Sequence, residues 1–231
     1  MANNIDKARV LIVGDSGVGK TCLVHLIAHS ESLPRPGWTV GCNIEVKLHE
    51  YREGTPHQRS YFIELFDVGG SISHRNTRSV FYAALHGIIL VHDLTNRKSQ
   101  ENLREWLYEI LNKDGKESKM FSSDMFDPEQ FLGSTQLPIL VIGAKLDLLD
   151  DKGNQKTIQK IGSIAEHCGS EEIWLNCREP RSFAAGTTDA VKLSRFFDRV
   201  IEKKNQSRES SSVSTERRKY TSTESGIRLI T

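Results

Sequence analysis

No stretch of the 231 residues approaches the ~18 consecutive apolar residues of a membrane-spanning helix. The opening MANNIDKAR lacks the apolar core of a secretory signal. Charge of one sign is also missing. The 31 basic and 30 acidic side chains leave a formal +1, whereas nucleic-acid binding needs a one-sided basic field, so nucleic acid is not an expected partner. Cysteines are few and scattered. Cys22, Cys42, Cys168 and Cys177 form neither a CxxC pair nor a Cys/His cluster, which argues against a disulfide scaffold or a zinc ribbon and for a reducing, cytoplasmic setting. Hydrophobic residues make up only 37%, low enough to suggest that part of the chain is unpacked. The length suits one domain with additions or two small ones. No internal repeat is present.

What is present is an alternation. Apolar runs at Ala8–Val13, Ser60–Phe66, Gly87–Val91, Pro138–Ile142 and Glu172–Leu175 read as strands. Helical patterns begin near Lys20 and recur at Asn102–Leu111, Thr157–His167 and Ala190–Lys203. Continuously apolar strands alternating with amphipathic helices predict an α/β fold, a mainly parallel sheet with helices on both faces. Val40–Tyr51 and Arg59–Phe66 flank a turn containing Gly54 and Pro56, which predicts one antiparallel edge pair and brings the strand count to six. Two segments break the pattern. Residues 113–136 form a long polar insert carrying three apolar pairs, and residues 205–231 are rich in Ser, Thr and charge and read as a disordered tail. The domain expected is therefore 1–204, with the insert inside it.

Gly14-Asp15-Ser16-Gly17-Val18-Gly19-Lys20-Thr21 fits G-x-x-x-x-G-K-[ST], and it lies between a predicted strand and a predicted helix. Glycines let successive backbone N–H groups turn toward phosphate oxygens, and the helix start adds its positive dipole end. Lys20 is placed to reach the β- and γ-phosphates and the Thr21 hydroxyl to bind Mg²⁺, with Cys22 following on the helix. This motif does not name the base, so ATPases and kinases stay open here.

The strand Pro138–Ile142 runs into Gly143-Ala144-Lys145-Leu146-Asp147. With the phosphate loop upstream, the order of segments resembles the Ras superfamily of small GTPases, whose fifth strand ends in Asn-Lys-x-Asp. The resemblance implies a P-loop small G domain with GTP or GDP and Mg²⁺ as ligands. It implies that the Lys145 stem lies along the base and that Asp147 accepts from the guanine N–H and amino groups, a donor pair adenine lacks. Ala144 departs from the family's Asn, implying a more weakly held nucleotide. Leu175-Asn176-Cys177-Arg178 matches the family's Ser-Ala-Lys by location alone. Cys177 there would offer its backbone N–H to the guanine oxygen; a buried structural cysteine is the equal alternative.

Thr39-Val40-Gly41, 19 residues past Lys20, resembles the family's first switch, with Thr39 closing over Mg²⁺. Asp67-Val68-Gly69-Gly70 fits D-x-x-G, implying that Asp67 serves Mg²⁺ and the Gly70 N–H meets the γ-phosphate. Ser71 stands where most relatives carry the water-orienting Gln, which implies slow hydrolysis. Phe81-Tyr82, His92–Asn96 and Ser99–Trp106 resemble the Rab branch, with Trp106 read as a core anchor. Rab proteins generally end in prenylated cysteines, whereas the last cysteine here is Cys177, so no stable membrane anchor is expected. The function expected is a GTP/GDP-dependent signalling or trafficking switch. Its partners would be regulatory or effector proteins, other small GTPases, their chaperones, or a second copy of the chain. The alternative is a non-hydrolysing, nucleotide-filled scaffold.

Overall fold

The apolar runs are continuous because both sheet faces are covered. In β1 (Asp6–Val13), Val10, Leu11, Ile12 and Val13 are all fully buried. Alternation then sends them to opposite layers. Val10 and Ile12 pack with Leu23, Leu26 and Ile27 of α1 (Lys20–His29) and with Phe196, Phe197 and Val200 of the last helix. Leu11 and Val13 pack on the other face with Leu103, Trp106, Leu107 and Ile110. The computed structural model of the chain describes residues 5–112, 137–149 and 164–224, with side chains through 208.

The remaining strands are β2 (Cys42–Tyr51), β3 (Arg59–Val68), β4 (Gly87–Asp93), β5 (Ile139–Ala144) and β6 (Glu171–Trp174). They form one six-stranded sheet in the order β2-β3-β1-β4-β5-β6. Every neighbouring pair is parallel except β2 with β3, so the expected antiparallel edge is where the turn signal put it. The further α-helices described are α2 (Arg75–Arg78), α3 (Arg97–Glu101), α4 (Leu103–Leu111), α5 (Ile164–His167) and α6 (Thr188–Glu224). Among the described residues no helix is long and apolar enough to cross a membrane.

Several boundaries differ from the sequence reading. β3 runs on to Val68 and β4 to Asp93, because an aspartate can stay in a ladder when its side chain finds partners. The helix expected from Asn102 is preceded by α3, which Asn96 caps by accepting from the Lys98 N–H at 3.1 Å. The tail expected to be disordered from 205 is helical to Glu224. Extending an existing helix needs no new nucleus, and no Gly or Pro interrupts residues 188–224. The insert 113–136 and residues 157–163 of the helix expected at Thr157–His167 lie outside the described residues.

This topology positions the site. Parallel strands end on the same sheet edge, so the segments following β1, β3, β4, β5 and β6 gather there.

Candidate functional site

The phosphate loop leaves β1 at Gly14, where φ is 148° and a side chain would collide with the Val91 carbonyl of β4. Gly19, at φ 109°, leads directly into α1. Lys20 folds back over the loop, its Nζ donating to the carbonyls of Gly14 and Asp15, each at 2.8 Å. It is only 5% exposed, and burial pushes its pKa down to about 8. Such a buried ammonium suits an anionic ligand. Val18 points its side chain into the core, so only its backbone faces the loop interior.

Beside Lys20 the three expected metal ligands meet. Thr21 Oγ1 donates to Asp67 Oδ2 at 2.7 Å, and Thr39 Oγ1 donates to the same oxygen at 3.2 Å. The two hydroxyl oxygens are 3.0 Å apart. Asp67 is fully buried, its Oδ1 has no hydrogen-bond partner, and burial raises its pKa despite the two threonines and Lys20. Two hydroxyls and a carboxylate with an orphaned buried oxygen form an all-oxygen donor set, which fits Mg²⁺.

Gly69 and Gly70 pack too closely for any side chain. A Cβ on Gly70 would sit 2.5 Å from the Gly14 oxygen, and one on Gly69 2.5 Å from the Thr39 oxygen. Gly69 N–H also donates to Gly41 O at 2.9 Å. The segments after Thr39 and Asp67 are thereby layered on the phosphate loop. Ser71 turns elsewhere, its Oγ 2.7 Å from Ser73 Oγ.

A cavity of about 200 Å³ lies beside the phosphate loop, lined by Ser16, Lys20, Thr21, Thr39 and Gly70 among others. A second, of about 250 Å³, holds Ala144, Lys145, Asp147, Asn176, Cys177 and Arg178. The two share Gly17, Gly19, Cys22 and Pro36, so they form one trough. Lys145 takes a left-handed backbone, φ 63°, and its Nζ pairs with Asp93 Oδ2 at 2.7 Å. Asp93 Oδ1 accepts from Thr95 N–H and Oγ1. Burial opposes ionisation of Asp93, but the Lys145 and Thr95 hydrogen bonds hold its carboxyl below the usual range. Asp147 stays exposed on the trough wall. Ala144 is buried and abuts the phosphate loop, its Cβ 3.5 Å from where a Cβ on Gly19 would lie. Asn176 Oδ1 is occupied by the Arg178 N–H at 2.8 Å. Cys177 lines the trough and also belongs to the core, where burial pushes its thiol up to about 12.

Two contacts have no signal in the sequence motifs. Asp15 is held from behind by α4 and the residue that precedes it, accepting from Asn102 Nδ2 at 2.7 Å and Trp106 Nε1 at 3.0 Å. The core-anchor reading of Trp106 is right, since it is 4% exposed, but incomplete. Arg78 stacks 3.7 Å over the Trp106 ring and donates through Nε to Glu109 at 2.6 Å. These partners are distant in sequence, and only the fold brings them together.

A phosphate loop after the first strand of a mixed six-stranded sheet is the architecture of a small G domain. The Roc family (Ras of Complex, Roc, domain of DAPkinase) matches residues 9–124. The chain belongs to the Rab-like small GTPases of the Ras superfamily. Rab-like protein 3 of Mus musculus is 48% identical over 215 residues, covering 91% of each chain. Rab-like protein 3 of Xenopus tropicalis is 50% identical over 206 residues, 87% of each chain. Small GTPase LIP1 of Arabidopsis thaliana is 36% identical over 171 residues, 70% of this chain and 47% of LIP1. This family implies a guanine nucleotide with Mg²⁺.

Proposed function

We propose that the chain is a cytoplasmic guanine-nucleotide switch with slow intrinsic GTP hydrolysis, acting through protein partners. The observation that carries this is the convergence of Lys20, Thr21, Thr39 and Gly70, with the buried Asp67 hydrogen-bonded to the two threonines, at one end of a trough whose other end holds Lys145 and Asp147. In this reading the amides of Gly14 to Thr21 and the Lys20 ammonium bind the phosphates. Thr21, Thr39 and Asp67 hold Mg²⁺, which supplies charge neutralisation at the phosphates. Asp147 accepts from guanine, the Lys145 stem flanks the ring, and the Cys177 backbone N–H faces the guanine oxygen, with Asn176 and Arg178 beside it. Losing the γ-phosphate frees the Thr39 and Gly70 segments, and partners read the difference.

Partners have a surface to read. The outer face of β2 exposes Ile44, Val46 and Leu48, continuing from exposed Trp38 and Val40. Residues 1–204 act as the G domain, with 113–136 and 205–231 as additional interaction segments. Hydrolysis is in-line attack of water on the γ-phosphate. Ser71 is too short to orient that water, and its hydroxyl is engaged by Ser73. The same feature favours the second reading, a nucleotide-filled scaffold that does not hydrolyse and binds other small GTPases, their chaperones or itself.

Denaturing freshly purified protein and identifying the released nucleotide tests the first step. GDP or GTP is expected; adenine nucleotide would overturn the guanine reading, and an empty protein would undermine the switch. Single-turnover hydrolysis then separates switch from scaffold. Ser71→Gln is expected to raise the rate at least about tenfold by restoring a group that orients water. A wild-type rate matching that variant contradicts slow hydrolysis, and no turnover in either favours the scaffold.

A further inference from the structure

Away from the nucleotide trough, three metal-ligating side chains meet between α1 and β2. His25 and His29 are one helical turn apart, so they project from the same side of α1. Their ring centroids are 4.6 Å apart with a 44° tilt. That side faces β2, where strand alternation turns Glu45 inward between the exposed Ile44 and Val46. Glu45 Oε2 lies 3.0 Å from His29 Nε2. One ligand atom from each residue falls within 4.8 Å of the other two.

We propose that His25, His29 and Glu45 form a second metal site, for a divalent transition ion of the zinc class. Tetrahedral zinc with N and O ligands at about 2.0–2.2 Å holds those atoms about 3.3 Å apart. The His29–Glu45 pair, at 3.0 Å, is already near that spacing, and a His25 ligand atom within 4.8 Å has only a short distance left to close. Two imidazoles and one carboxylate leave the fourth position for water. The donor chemistry separates this site from the one at Asp67. Imidazole suits zinc-class ions, whereas Mg²⁺ prefers oxygen and keeps its waters, so the two ions partition between the two sites.

The placement gives the ion a consequence. His29 and Glu45 are 16 residues apart, and the chain between them contains Thr39. An ion joining them closes that segment into a loop anchored at both ends and clamps α1, which begins with Lys20 and Thr21, to the strand that follows the first switch. Slower nucleotide release is then expected with zinc bound. This consequence rests on the nucleotide reading; metal binding itself does not.

The experiment titrates tag-free, full-length protein, kept in excess Mg²⁺, with Co²⁺ as the spectroscopic probe and Zn²⁺ as competitor. One equivalent of Co²⁺ is expected, giving visible d–d bands without a thiolate charge-transfer band, and displaced by Zn²⁺. His25→Ala and His29→Ala should each weaken binding at least about tenfold, and the double variant should lose the bands. His57→Ala, exposed in the β2–β3 turn, should leave them unchanged. Metal-free melting checks that each variant folds, and Glu45→Gln gives a conservative readout if the double variant does not. Undiminished affinity in the double variant overturns the proposal. So does an unchanged spectrum in Glu45→Gln, or a thiolate band that moves the ion to Cys22 or Cys42.

Discussion

Ala144 occupies a buried position against Gly19 with a single methyl group, where its family generally carries an amide. An asparagine there would reach from β5 across to the phosphate loop and tie the two ends of the trough. Ala144→Asn is therefore expected to slow guanine-nucleotide dissociation by about 1–3 kcal/mol, roughly fivefold to 150-fold, the worth of a buried polar group that gains its partner. A stopped-flow dissociation assay with a fluorescent GDP analogue checks this, and an unchanged rate would mean the loop does not need the tie. Residue by residue, the site was most legible where chemistry is local. Gly14 to Thr21 could be assigned because eight consecutive residues carry the whole demand of the loop. Thr39 and Asp67 came from the family resemblance, and their meeting at Thr21 depends on the sheet. The Lys145–Asp93 ion pair joins the ends of two strands, and no spacing in the chain announces it.

At the level of elements, α4 supports the phosphate loop from outside the trough. Trp106→Phe keeps the packing in the core and the aromatic ring beneath Arg78, but it removes the indole donor to Asp15. Stability is expected to fall by about 1–3 kcal/mol, measured by urea unfolding, because a half-buried carboxylate oxygen loses its partner. A second link joins β1 to the start of β4. His86 Nδ1 accepts from the Arg9 N–H at 3.0 Å, and burial, with Lys204 and Arg9 nearby, lowers the His86 pKa below its ordinary 6.5. The unfolded chain then binds the proton more readily than the folded one, so this contribution is intact above 6.5 and is lost as pH falls below it. His86→Gln is expected to flatten the fall of the urea midpoint between about pH 6.5 and 5, the range in which a histidine ordinarily titrates. Strands were readable because burial on both faces produces unbroken apolar runs. Their ends were not, since Asp67 and Asp93 are polar residues kept in the ladder by tertiary partners. The last helix was underestimated because composition sees Ser and charge but not the preformed helix they extend.

Taken whole, the described molecule is one sheet with its chemistry gathered at one edge from several separate connections. Nothing covalent holds those connections together, and the two charges facing one another there, Lys20 and Asp67, are both buried. A phosphate group and Mg²⁺ would satisfy both at once. Stripping nucleotide and metal with chelator is thus expected to lower the melting temperature markedly. A ligand at 100 times its Kd contributes about 2.7 kcal/mol, so differential scanning calorimetry at stepped GDP and Mg²⁺ should trace that dependence. A melting temperature indifferent to both would mean the edge is self-sufficient.

The three tryptophans fall at three different places around that edge. Trp38 is 88% exposed and lines the phosphate cavity, Trp106 is buried with its indole against Asp15, and the Trp174 ring lies close to Gly143 on the strand that leads to Ala144. Spectroscopically the chain is already labelled: an exposed, red-emitting fluorophore at the mouth of the trough, a shielded one behind the phosphate loop, and a third beside the strand that carries Ala144. Light alone can follow what occupies the trough, with no dye attached.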